Sequence, residues 1–200
     1  MSLYTRPEEL KRGKIDGIID GVLAGEARRI HLTHFTIREN LKDGSSKVSC
    51  SFLEGTSKRK IDSSGTGFVD ALFRGLLSVY VDTFKSLANI RFTSFGLHAS
   101  LKPEHGAAGS DAEATVLLET SANSDDSTVM AFRKTGKSIN VAAAKVVFEA
   151  IQFYINCELV YKKLKFLVLD AKSRDRNDVA AAYTSQLVDI VNIALCGNCE

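Results

Sequence analysis

The sequence predicts an α+β fold in which a βββα unit occurs twice in succession. The stretch IHLTHFTI, residues 30–37, returns sixty residues later as IRFTSFGL, residues 90–97, with three identical positions. Both copies place apolar residues at relative positions 1, 3, 6 and 8, whereas a regular strand uses 1, 3, 5 and 7. An amphipathic helix follows each set of strands. Since one such unit is too small to bury its own helix, we expect the two units to pack with pseudo-two-fold symmetry.

The repeated phase slip predicts a β-bulge in each opening strand, at Thr33-His34 and at Thr93-Ser94. One extra residue returns the later apolar side chains to the buried face. Two further strands follow in each unit, SKVSCSFLEG and SKRKID in the first, AEATVLLET and STVMAFRK in the second. The basic run Lys58-Arg59-Lys60 is typical of the solvated face of an edge strand.

The positions of the predicted helices set the domain boundaries. The first unit ends in FVDALFRGLLSVYVDTFKSL and the second in NVAAAKVVFEAIQFYINCELVYKKL, both with i, i+3, i+4 apolar spacing. An N-terminal helix begins at Pro7, and a C-terminal helix begins near Asn177 or Asp178. We therefore divide the chain into a linker helix (1–28), a duplicated βββα domain (29–160) and a C-terminal helical extension (161–200).

The amino-acid composition and net charge exclude several classes of function. Hydrophobic residues at 44% and charged residues at 25% are ordinary for a globular protein with a core. A net charge of +2 with mixed signs predicts neither nucleic acid nor an anionic membrane as partner. No apolar run reaches the roughly 18–20 residues that cross a bilayer, and the N-terminus has no secretory stretch. Four irregularly placed cysteines indicate reduced thiols, so we expect a cytoplasmic protein.

The sharpest local motif is SSGTGFVDALF, residues 63–73, where Gly65 and Gly67 stand between a strand and a helix. Glycines there expose N–H groups at the positive helix end, which can hold a carboxylate or phosphate. A plain glycine-rich turn has the same spacing and is favoured on spacing alone. The motif is neither a Walker loop nor a complete dinucleotide fingerprint. TGKSIN, residues 135–140, occupies the equivalent place in the second unit.

No self-contained catalytic site is visible in the sequence. His31 and His34 lack a third metal ligand, and Asp70 is explained by its place in a first helical turn. Cys196 and Cys199 form a C-x-x-C after a helix end, where the helix dipole raises thiol pKa values, so we interpret them as free thiols. We therefore assign no catalytic residue, no metal ligand and no cofactor.

Three stretches resemble the C-terminal regulatory domain of 2-isopropylmalate synthases and citramalate synthases. SSGTGFVDALFRGL resembles its G-x-G-P-V-D-A-L-F motif, GSDAEATVLLE its G-T-D-A-x-G-x-V strand entry, and TGKSINVAAAKVVFEAI its second helix start. The matches occur in family order and lie within residues 30–160. The resemblance implies a homodimerising domain of a transferase, which binds leucine or isoleucine as a feedback inhibitor of branched-chain amino acid biosynthesis. Catalysis then belongs to a separate TIM barrel, whose His-x-His metal motif is absent from this sequence.

The resemblance also implies an effector pocket. Its positions in this sequence are Gly65, Thr66, Gly67, Asp70, Ile90, Ser94, Ala112 and Ile139. The chain departs from the family where Phe68 replaces the usual Pro and where Ile90 stands in place of a common Tyr. Two other hypotheses remain at this point. One is a stand-alone dimerisation or interaction module without an effector, and the other is a free-standing enzyme that uses His31 or His34.

Overall fold

A computed structural model of the chain describes residues 7–99, 113–122 and 129–194. Within these ranges the protein is α+β, with two three-stranded antiparallel sheets and four α-helices. The strands of the first sheet are β1 (Ile30–Asn40), β2 (Ser45–Glu54) and β3 (Ser57–Thr66). Those of the second are β4 (Arg91–Ala99), β5 (Ala114–Ser121) and β6 (Val129–Gly136). The helices are α1 (Pro7–Leu23), α2 (Phe68–Tyr80), α3 (Ile139–Ser173) and α4 (Asn177–Ala194).

Both predicted β-bulges are confirmed. The β1–β2 register shifts between Leu32 and His34, and the β4–β5 register shifts between Phe92 and Ser94. Thr33 and Thr93 are therefore the unpaired residues, as the phase slip in the sequence predicts. After the bulge in β1, Phe35 and Ile37 return to the face that packs on the core.

The two sheets have the same strand order and the same register of cross-strand rows. In the first sheet Leu32, Phe52 and Arg59 lie side by side just before the bulge. In the second sheet the corresponding row is Phe92, Thr120 and Met130. In the first unit the helix begins two residues after the end of the last strand, with Gly67 as its N-cap. In the second unit it begins three residues after, with Ser138 as its N-cap. The predicted βββα order thus occurs twice.

The two sheets and their helices share one hydrophobic core. Phe52 on β2 makes an edge-to-face contact with Phe148 on α3, with ring centroids 5.4 Å apart. Phe132 on β6 contacts Phe153 on α3 in the same geometry, also at 5.4 Å. Helix α3 therefore packs against both sheets, and its buried face joins the two units into one core.

Helix α2 is shorter than its apolar periodicity predicts. It ends at Tyr80, and after a turn the chain forms a short 3-10 helix, Lys85–Asn89, that leads into β4. Phe84 is buried, at 3% exposure, so its side chain packs into the core from this turn and not from an extension of α2. The backbone N–H and the hydroxyl of Ser86 both donate to Oε2 of Glu158 on α3, at 3.0 and 2.8 Å. This buried carboxylate holds the turn in place.

The flanking helices pack on the second unit. Arg12 of α1 lies over the ring of Phe132, 4.7 Å from its centroid, and forms an ion pair with Glu149 of α3. Helix α3 runs without a break through residue 160, where we placed a domain boundary, and α4 returns along it. None of the helices in the described ranges has the length and apolar content needed to span a membrane.

We expect Glu158→Gln to destabilise the fold at neutral pH by about 1.5–3 kcal/mol, the usual worth of hydrogen bonds to a charged group. Burial by itself raises the pKa of Glu158, but hydrogen bonds from Lys162 and Ser86 outweigh it and lower the pKa below 4.5. Because the pKa of Glu158 is lower in the folded protein than in the unfolded chain, the ionised carboxylate stabilises the fold at pH values above the unfolded-state pKa. This stabilisation is lost as the pH falls through the folded-state pKa. Urea denaturation should therefore show a wild-type advantage that shrinks below about pH 4.5.

Asp82→Asn is the matched control for this pH series. Asp82 is 95% exposed and its Lys85 partner lies 3.6 Å away, so we expect a change within about 0.5 kcal/mol at every pH. An advantage of wild type over Glu158→Gln that persists undiminished at acid pH would contradict the role assigned to the Glu158 carboxylate.

Candidate functional site

The turn between β3 and α2 is the best-defined part of the predicted site. Gly67 is the N-cap of α2 and has φ 83°, a backbone conformation that residues with a Cβ rarely adopt. No side chain caps this helix start. The first turn of α2 therefore presents N–H groups without an intrahelical partner, next to the positive end of the helix dipole.

Gly65 lies in close contact with the start of α2. A Cβ at this position would collide with the carboxylate of Asp70 and would lie 2.7 Å from the backbone nitrogen of Ala71. The same carboxylate accepts a hydrogen bond of 2.9 Å from the N–H of Thr66 and pairs with Arg74 at 2.9 Å. Asp70 thus closes the turn and already has two donors, which leaves it a poor acceptor for the ammonium group of a ligand.

Phe68, the departure from the family pattern, is part of the packing at this turn. Its ring stacks on Phe35 of β1, with centroids 5.7 Å apart, and the side chain is only 9% exposed. The aromatic pair covers the apolar end of the first sheet. Phe68 therefore lies against protein side chains, on the side of the turn that faces β1.

The remaining predicted positions lie on other elements. Ile90 is buried at 4% just before β4, and Ser94 is exposed on β4 immediately after the bulge. Ile139 is the first residue of α3 and is 43% exposed, whereas Ala112 lies outside the described residues. The structure brings Gly65, Thr66, Gly67 and Asp70 together. No hydrogen bond or ring contact in the described part of the chain joins Ile90, Ser94 or Ile139 to them.

The end of the second unit is more open than that of the first. In strand register Phe95 corresponds to Phe35, and Ile139 corresponds to Phe68 as the first helical residue. Phe35 and Phe68 cover each other, but Phe95 is 46% exposed and Ile139 is 43% exposed. Ala142, Ala143 and Ala144 are fully buried, so the small residues of α3 serve core packing.

The described histidines and cysteines do not form a reactive centre. His31 and His34 are both exposed, and the described ranges contain no group of three or more potential metal ligands. Cys50 and Cys157 are buried free thiols, and burial raises the pKa of Cys50 to about 12 and that of Cys157 well above its ordinary value. Both are protonated at neutral pH and hence weak nucleophiles. His105, Cys196 and Cys199 lie outside the described residues.

A buried ionic cluster lies at the end of the first sheet where β2 turns into β3, and the sequence patterns did not predict it. Glu54 is 8% exposed and pairs with both Arg28 and Arg59, while the hydroxyl of Tyr80 donates to it at 3.2 Å. Burial, followed by the Glu54 charge, raises the pKa of Tyr80. The alternation of buried residues along β2, at Val48, Cys50 and Phe52, could have predicted this burial, because the next residue on the same face is Glu54.

No family model matches the chain, and no curated protein gives a significant match.

Proposed function

We propose that this chain is a dimerising, amino-acid-binding regulatory domain of an acyl-CoA-condensing synthase that resembles 2-isopropylmalate synthase. The observation that carries this proposal is the repeated architecture, in which two bulged sheets of equal register each lead into a helix through a connection of one or two residues. A glycine, Gly65 or Gly136, occupies the same register position near the end of each last strand. Two of the three resembling stretches, SSGTGFVDALFRGL and TGKSINVAAAKVVFEAI, lie at the strand-to-helix connections that correspond in the two units. On this proposal the units are related by a pseudo-two-fold axis, and catalysis resides in a separate barrel.

The chemistry of a branched-chain amino acid is compatible with the start of α2. Its carboxylate needs N–H donors, which the first turn of α2 after Gly67 provides. Because Asp70 is already engaged by Thr66 and Arg74, we assign the ammonium group to backbone carbonyls. The apolar side chain needs a hydrophobic wall, and exposed Ile139 is the predicted wall residue.

Dimerisation accounts for the exposed apolar end of the second unit. Phe95, Leu97 and Ile139 are each more than two-fifths exposed, although their first-unit counterparts Phe35, Ile37 and Phe68 pack on the core. A second copy of the chain placed over this end would remove that surface from water. The effector then regulates by binding differently to two arrangements of the dimer.

Titration calorimetry with leucine, isoleucine and valine, together with light scattering, tests this function. We expect a dimer and saturable heat with at least one of the three at millimolar concentration. Ile139→Asp should abolish both, because it places a charge on the apolar end while keeping a residue that suits a first helical turn. Leu169→Asp is the control, since Leu169 is 67% exposed near the far end of the same helix, α3. A monomer that gives no heat would contradict the proposal.

A second function is favoured by one specific observation. Phe68 packs on Phe35, and the Thr66 N–H is bonded to Asp70, so part of the predicted pocket is filled by the chain's own groups. These contacts are compatible with a dimerisation or interaction module that keeps the fold without an effector. A wild-type dimer with no heat from any branched-chain amino acid, and loss of the dimer in Ile139→Asp, would select this function over the first.

A further inference from the structure

The outer face of the first sheet, which points away from α2 and α3, carries an unusual arrangement of charge. Side chains on this face lie in cross-strand rows of three, one from each strand. One row is Arg38, Lys47 and Ser64. The next row is Thr36, Ser49 and Asp62. The residues of both rows are exposed or half-buried, so they are accessible to a ligand.

Arg38 and Lys47 are two cations directly opposite each other on neighbouring strands. Like charges at this separation repel and destabilise a sheet. Neither side chain makes an ion pair or a hydrogen bond within the described part of the chain, although Lys60 on the same face pairs with Asp62 at 3.2 Å. No ion pair within residues 7–99, 113–122 and 129–194 therefore offsets the repulsion between Arg38 and Lys47.

The fold does not require this cation pair. In the second sheet the corresponding row is His98, Thr115 and Thr135. There the hydroxyl groups of Thr115 and Thr135 form a hydrogen bond of 2.9 Å across the strands. The same strand positions thus hold a histidine and a hydrogen-bonded threonine pair in one unit, and two cations without an ionic partner among the described residues in the other.

A cavity of about 410 Å³ lies over the two cations. It is lined by Thr36, Arg38, Lys47, Val48, Ser49, Asp62, Ser63 and Ser64. The volume is within the range of small-molecule sites. Of the hydroxyl groups in this lining, Ser63 donates to the Ala71 carbonyl and Ser49 bonds to Asp62, so those of Thr36 and Ser64 lie beside the cations. Asp62 is the one carboxylate in this lining; hydrogen bonds from Ser49 and Lys60 lower its pKa, and its negative charge is paired with Lys60 at 3.2 Å.

We propose that this cavity binds the phosphoryl group of a small phosphate monoester. A phosphate monoester carries about two negative charges at neutral pH and three acceptor oxygens, which suits one guanidinium, one ammonium and nearby hydroxyl groups. The bound dianion would cancel the repulsion between Arg38 and Lys47. The cavity shares no residue with the predicted effector pocket, so this inference does not depend on the proposed function.

Phosphorus NMR and calorimetry with glycerol phosphate as probe, and acetate as comparison, test the site on the full chain. We expect saturable binding of the phosphate ester and none of acetate. Arg38→Gln and Lys47→Gln should each weaken binding by about tenfold or more, as expected from loss of a charge-assisted hydrogen bond. Lys58→Gln is the control, because Lys58 is exposed on the same sheet but does not line the cavity. It should bind the ester as wild type does.

Thermal denaturation without ligand supplies a second readout. If Arg38 and Lys47 are kept for a ligand, Lys47→Gln should melt at the wild-type temperature or above it. The ester should raise the melting temperature of wild type and of Lys58→Gln by the same amount, and that of Lys47→Gln by less. The inference is overturned if the ester fails to bind wild type, or if Lys58→Gln weakens it as much as Lys47→Gln. It is also overturned if only an anionic vesicle or a phosphopeptide binds.

Discussion

Replacing Phe132 with alanine is expected to destabilise the fold by about 3–5 kcal/mol, the usual cost of removing a buried aromatic side chain. Phe132 is 0% exposed on β6 and contacts Phe153 of α3 at 5.4 Å and the Arg12 guanidinium of α1 at 4.7 Å. The truncation would leave a cavity where three elements meet. Urea denaturation followed by circular dichroism should show a lower midpoint with an unchanged slope.

Two further variants keep this prediction measurable. Phe132→Leu retains most of the volume, so it should fold with a smaller loss of about 1–1.5 kcal/mol. Phe166→Ala removes an equal ring from a site on α3 that is 67% exposed, and we expect a change within about 0.5 kcal/mol. If Phe166→Ala costs as much as Phe132→Ala, the assignment of Phe132 to a shared core is wrong.

Gly65→Ala is expected to destabilise the first unit by about 1–3 kcal/mol, because the added methyl group overpacks the contact between β3 and α2. The new Cβ would lie 2.7 Å from the Ala71 nitrogen, and backbone cannot move aside as a side chain does. The start of α2 must then shift away from β3, which breaks the hydrogen bond from Thr66 to Asp70. The free energy of unfolding from urea denaturation measures this cost.

Gly136→Ala is the matched control. Gly136, the last residue of β6, occupies the same cross-strand register position in the second sheet as Gly65 does in the first. A Cβ at Gly136 meets nothing within 4 Å, and its φ is not positive. We therefore expect Gly136→Ala to be neutral or to stabilise the protein by up to about 1 kcal/mol, through lower entropy of the unfolded chain. Equal destabilisation by both variants would show that steric contact at Gly65 is not the cause.

Local sequence patterns were sufficient for the strand order and the bulges. The slip in apolar spacing at Thr33 and at Thr93 predicts a bulge in each opening strand, because side chains in a strand alternate strictly between faces. The end of α2 was not predictable in this way. Tyr80 and Phe84 continue a helical spacing, and both are buried, yet Phe84 lies in the turn that Glu158 holds from a distant helix.

The candidate site was predictable only in its local part. Gly65, Thr66, Gly67 and Asp70 are near neighbours in sequence, so the strand-to-helix turn fixes their geometry. The opposed cations Arg38 and Lys47 come together only through the β1–β2 register. Periodicity assigns each of them to a solvated face, but it does not reveal that neither has an ionic partner in the part of the chain that the structure describes.

The most direct test of the proposed amino-acid site is a leucine, isoleucine and valine titration of the isotope-labelled chain followed by amide NMR. Bound effector should shift the amide signals of Gly67, Phe68 and Val69, at the first turn of α2, together with that of Ile139 at the start of α3. Signals from Gly55 and Lys58, at the opposite end of the first sheet, should stay in place. If none of the four helix-start amides moves at millimolar concentration of any of the three amino acids, the chain does not bind an effector at this site.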